Sequence, residues 1–82
     1  MAETIHEAFI IKATSKVTGD IHYVEIDNEG YVSLVKSNSN ATLFDNVKAA
    51  EEAIIEYCDG EMTHKYTVES IFMSLEEFIT KH

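Results

Sequence analysis

At 82 residues and 9.3 kDa the chain is one small domain, and 45% hydrophobic against 26% charged residues mark it as folded rather than disordered. Fifteen acids against six lysines and no arginine give a net charge of −9, which argues against a phosphate-binding basic face and therefore against direct nucleic-acid binding or docking on an anionic membrane. The longest uncharged apolar run, Ala8-Phe9-Ile10-Ile11, is too short to span a membrane, the acidic N-terminus lacks the basic start of a signal peptide, and a lone Cys58 forbids an internal disulfide, so the chain reads as cytoplasmic.

Residues 1–7 are polar and read as a loose tail. Residues 8–14 are rich in β-branched and aromatic side chains and predict a strand, with Phe9, Ile11 and Ala13 on one face and Ile10 and Lys12 on the other. After a turn over 15–20, residues 21–27 alternate as a second strand: His22, Val24 and Ile26 share a face, opposite Ile21, Tyr23 and Glu25. Asp27-Asn28-Glu29-Gly30 has the form of a type I turn closing into a glycine bulge, and it leads to a third strand over 31–36. There Val32 and Leu34 point one way, and Tyr31, Ser33 and Val35 the other.

A polar loop over 37–40 precedes Phe44 and then Asp45, a good N-cap. From Val47 the spacing turns helical, with Val47, Ala50, Ile54, Tyr57 and Cys58 on one stripe, charged residues outside, and Gly60 as the stop. Residues 68–81 satisfy both a single helix and a strand followed by a helix. Ser74-Leu75-Glu76-Glu77 is a capping box, which favours a strand over 65–73 and a short helix over 75–81. The expected fold is therefore α+β: an antiparallel sheet in β-β-β-α-β-α order, packed on one face by a helix at about 46–59, with Phe9, Ile11, Val24, Ile26, Val32 and Leu34 in the core.

Few groupings carry chemistry. Glu25, Asp27 and Glu29 surround one turn but lack the spacing of a calcium loop, so they read as a solvated acidic turn. His6, His22, His64 and His82 do not fall at metal-ligand spacing, and His22 on the core face reads as a partly buried ring. Cys58 lies in the apolar stripe and reads as a buried small hydrophobe. There is no glycine-rich phosphate cradle and no nucleophile–base pattern, so neither a catalytic residue, a cofactor nor a metal is assigned.

Two surfaces carry more information. The sheet face away from the long helix bears Ile10, Tyr23, Tyr31 and Val35; either a partner covers it or the final helix folds over it. The outside of the long helix bears Glu51, Glu52, Glu56, Asp59 and Glu61, a row that can imitate a phosphate backbone, steer a basic partner or serve only as a solvated face.

The stretches Phe9-Ile-Ile-Lys, Gly19-Asp-Ile-His-Tyr-Val, Gly30-Tyr-Val-Ser, Ala41-Thr-Leu-Phe-Asp and Ala49-Ala-Glu-Glu-Ala-Ile lie within residues 9–55. In them a strand meander passes through an Ala-x-x-Phe-Asp step into an Ala/Glu-rich helix, a pattern that resembles small, mostly uncharacterised proteins of phages and prophages. The resemblance implies an α+β fold and an accessory role such as modulating a host protein or a defence system, and it carries over no catalytic residue. The expected function is a non-enzymatic protein-binding module, with Tyr23 and Tyr31 as anchors flanked by Ile10 and Val35, and Glu51, Glu52 and Glu56 as electrostatic guides. The alternative is a homodimer, structural or ligand-binding, whose open sheet face closes on itself.

Overall fold

The computed structural model describes residues 4–81. Strands β1 (Ile5–Ser15), β2 (Ile21–Ile26) and β3 (Val32–Val35) are followed by a 3-10 turn over Asn38–Asn40, helix α1 (Val47–Cys58), strand β4 (His64–Ser74) and helix α2 (Leu75–Lys81). The four strands form one antiparallel sheet in the order β3-β2-β1-β4. The α+β class and the β-β-β-α-β-α order are those the sequence pattern gives. Strand β1 begins at Ile5, three residues before the predicted start and inside the stretch read as a tail; residues 1–3 lie outside the described residues.

The backbone of the sheet is the β1–β4 ladder, in which eleven residues pair from Ile5↔Ser74 to Ser15↔His64. This resolves the ambiguity over 68–81 in favour of strand then helix, because β1 offers hydrogen-bond partners along the whole length of β4. At the junction the capping serine works as expected: the Ser74 hydroxyl accepts the Glu77 N–H at 3.1 Å, and Glu77 in turn pairs with Lys81 at 3.3 Å.

Strand β2 follows β1 only from Thr14↔Ile21 to Lys12↔Tyr23. Beyond that point the two strands separate, and the segment 41–44 wedges into the gap. Phe44 and Phe9 exchange both backbone hydrogen bonds, at 3.0 and 2.8 Å. Thr42 serves β2. The Asp27 N–H bonds to the Tyr31 carbonyl, so odd-numbered positions of β2 bond to β3, while Val24 and Ile26 turn their peptide groups inward. There the Val24 carbonyl accepts the Thr42 N–H at 3.1 Å, the Ile26 N–H donates to the Thr42 hydroxyl at 2.7 Å, and that hydroxyl reaches the Ile26 carbonyl at 3.4 Å. One threonine thus satisfies the peptide groups that β1 leaves behind.

Helix α1 packs on the sheet face carrying Ile11, Ala13 and Val24, and Phe9, Ile26, Phe44, Tyr66 and Val68 surround this core. Three local expectations are corrected. The N-cap is Asn46, not Asp45: its side chain accepts the Ala49 N–H at 2.8 Å. The buried line of α1 runs through Ala50, Ala53 and Cys58, while Val47 and Tyr57 stay exposed; two alanines let the helix approach the sheet closely. Val32 and Leu34 face the helix side as expected but remain 37% exposed, because α1 packs mainly on β1 and β4 and leaves the β3 edge uncovered.

Length mismatch shapes the rest. A twelve-residue helix is about 18 Å long, whereas an eleven-residue strand is about 36 Å long. Helix α1 therefore covers only one half of the β1–β4 ladder, and the molecule is elongated, 47 × 26 × 19 Å.

Candidate functional site

The structure separates the residues that the sequence pattern grouped into a binding surface. On the face opposite α1, Tyr23 lies between Lys12 and Val35 in neighbouring strands, and Tyr23 and Val35 are half-buried. Ile10 is on that face too, but it is fully buried and presents nothing to a partner. The cause is α2, which folds back over the start of β1 and the end of β4: Phe78 is buried with its ring 4.0 Å from that of His6, and Ala8 and Ile10 on the same face have no exposed surface. The final helix thus covers one half of the second face and leaves the Tyr23 half open. Tyr31 precedes β3 and is 68% exposed, its N–H bonded to the Asp27 carboxylate at 2.9 Å. Glu51, Glu52 and Glu56 are exposed on the outer side of α1, across the sheet from Tyr23 and Val35. A flat partner surface therefore cannot meet both groups at once.

The acidic turn has a structural role. The Asp27 carboxylate accepts the N–H groups of Glu29 and Tyr31, both at 2.9 Å, and Gly30 takes a φ of 87° that closes the bulge. Among the described residues no cluster of His, Cys, Asp or Glu is arranged to hold a metal.

A denser polar cluster closes the turn from α1 into β4. Glu61 accepts the Thr63 N–H at 2.6 Å and the Thr63 hydroxyl on one carboxylate oxygen. On the other it accepts the His64 N–H at 3.0 Å and the Tyr66 O–H at 2.9 Å, with His64 Nδ1 at 3.3 Å. These donors, Thr63 first, pull the Glu61 carboxyl down to about 2. Burial, then the hydrogen bond to that carboxylate, pushes the Tyr66 hydroxyl up. Burial and the Glu61 charge likewise push the Cys58 thiol up, which keeps it protonated and unreactive. A carboxylate held charged by four donors, beside a protonated thiol, is a turn lock rather than a nucleophile with its base.

A group of exposed apolar side chains lies at the other end of the molecule. On the α1 side of the sheet, beyond the helix, Phe72 is 68% and Ile5 61% exposed. Ile5 pairs with Ser74 and Phe72 with Glu7, so the two apolar side chains are diagonal neighbours. Leu75 and Ile79, one helical turn apart on α2, are 37% and 68% exposed. Leu75 and Ile79 line a groove of about 420 Å³ with Thr4, Ser74, Glu76 and Thr80. Exposed apolar side chains thus gather at this end of the molecule, Ile5 and Phe72 on the sheet and Leu75 and Ile79 in the groove, with Glu76 lining the groove and Glu7 paired with Phe72. Sequence reasoning missed this patch. Phe72 fits the alternation of β4, but alternation does not reveal that α1 ends before reaching it.

Comparison with known proteins finds no matching family model, no similar curated protein and no similar solved structure. Among the described residues, no helix is long and apolar enough to cross a membrane.

Proposed function

We propose that the chain is a non-enzymatic protein-binding module that docks through the patch of Ile5, Phe72, Leu75 and Ile79. The carrying observation is the exposure of these four side chains at one end of the molecule, two on the sheet beyond α1 and two in the groove beside α2. Glu76 in the groove and Glu7 opposite Phe72, on a chain of charge −9, fit a protein partner that presents apolar side chains framed by lysine or arginine. The resemblance to small phage proteins makes a host protein the class of target, with modulation of that host protein as the role. Exposure of Phe72 and Ile79 also makes the test clean, since serine at either position leaves the core intact.

The experiment compares wild type, Phe72→Ser/Ile79→Ser and Tyr23→Ser/Tyr31→Ser as immobilised baits in bacterial lysate. A retained protein is then purified and titrated against each bait. Stoichiometric binding lost in the Phe72/Ile79 variant and kept in the tyrosine variant supports the patch. Binding lost only in the tyrosine variant moves the anchors to the half-open second face, and full binding by both variants refutes both surfaces.

A further inference from the structure

The sheet has two edges, and they differ. The β3 edge is four residues long, whereas the β4 edge is eleven residues long, contains no proline and, among the described residues, carries no neighbouring strand. The ladder fixes which of its peptide groups are free for pairing. At its two ends the Lys16 N–H donates to the Thr63 carbonyl and the Leu75 N–H to the Thr4 carbonyl, both at 2.9 Å, so even-numbered residues on the β1 side bond to odd-numbered residues on the β4 side. Phe9, an odd position, accordingly exchanges its bonds with Phe44 on the other side. By antiparallel geometry the even-numbered residues of β4, among them Tyr66, Val68 and Ser70, turn their N–H and C=O groups to the open edge, as does the His64 carbonyl, whose own N–H is held by Glu61.

The side chains beside that edge are self-complementary. Lys65, Thr67 and Glu69 share the face opposite α1, with opposite charges four residues apart and Thr67 midway. An antiparallel pairing of β4 with β4 of a second copy, its two-fold axis at Thr67, sets Lys65 against Glu69 of the second copy, twice. It also joins Tyr66 to Val68 through their outward peptide groups and lets the Ser70 N–H donate to the His64 carbonyl of the second copy. Lys65 and Glu69 then sit in non-hydrogen-bonded pairs, where side chains approach most closely. A register centred on Glu69 would pair all eleven residues, but it sets the two Glu69 carboxylates directly opposite each other.

We infer that two copies of this chain associate edge to edge through β4, in the register centred on Thr67, into a continuous eight-stranded antiparallel sheet with both α1 helices on one face. The association uses the sheet edge rather than the apolar patch, so it stands apart from the partner-binding proposal.

The test is sedimentation equilibrium over a wide concentration range on wild type, Lys65→Glu, Glu69→Lys, the double swap and Glu69→Gln. Wild type is expected to dimerise with rising concentration. Each single reversal replaces two attractive pairs by two repulsive ones and is expected to weaken self-association by about thirtyfold. The double swap is expected to restore it to within about threefold, because the pairs reform with signs exchanged. Within one chain the swap changes little: Lys65 faces Thr14, Glu69 faces Ile10, and Lys12, opposite Thr67, is equally placed toward both. Amide exchange on wild type needs no variant. The Tyr66, Val68 and Ser70 amides should slow with concentration, while those of Thr67 and Glu69, bonded to β1, and that of His64, held by Glu61, should not respond to it. A wild type that is monomeric at every concentration overturns the inference, as does a double swap that remains weak or a Glu69→Gln variant that associates more tightly. Partner capture that persists in a monomeric wild type overturns the dimer alone.

Discussion

Replacing Thr42 by valine tests the wedge that holds β2 beside β1. Valine keeps the volume and the backbone bond from residue 42 to the Val24 carbonyl, but removes the hydroxyl that accepts the Ile26 N–H at 2.7 Å. Because Ile26 turns its peptide inward, away from β3, that donor is left in a half-buried place without its partner. The cost lies between the net worth of a hydrogen bond and the penalty for a stranded donor, about 1–2 kcal/mol. For a domain of this size that lowers Tm by roughly 5–15 °C. Thr42→Ser keeps the hydroxyl and loses one half-buried methyl, at about 0.5 kcal/mol. Urea denaturation should therefore rank wild type above Thr42→Ser and Thr42→Val last, with unchanged m-values. Amide exchange should show Ile26 opening selectively in the valine variant. A valine variant within about 0.3 kcal/mol of wild type, with Ile26 still protected, would refute the role given to the hydroxyl.

Glu61→Gln tests the turn lock through pH. The folded Glu61 carboxyl is depressed from 4.5 to about 2, so its stabilising effect is present above the unfolded value and is lost as pH falls through the folded one. Wild type should lose stability progressively between about pH 4.5 and about pH 2, and Glu61→Gln should show a flatter profile across that window, read as denaturant midpoints. Asn46→Ala should cost about 1 kcal/mol by removing the acceptor for the Ala49 N–H, and Asn46→Asp should retain most of the stability, as thermal unfolding will show.

What the sequence determined by itself is the set of features written in short-range chemistry. The alternation of β1 and β2, the helical stripe through Ala50 and Cys58, the turn glycines and the Ser74 capping box each depend on residues within a few positions of one another. They suffice for the order of elements and the α+β class. Even the ambiguous stretch over 68–81 was narrowed by the capping serine, although the long partner β1 is what holds it as a strand.

The tertiary structure decided what covers each face, because a period of two says which way a side chain points and nothing about what lies above it. Ile10 is buried because α2 turns back over one half of the second face, and Phe72 is exposed because α1 is about half as long as the ladder beneath it. Tyr23 and the acidic side of α1 are far apart along the chain, and only the packing of α1 on the opposite face of the sheet reveals that they look away from each other. The wedge at Thr42 and Phe44 is likewise a tertiary event, since residues in a loop satisfy two strands that have separated.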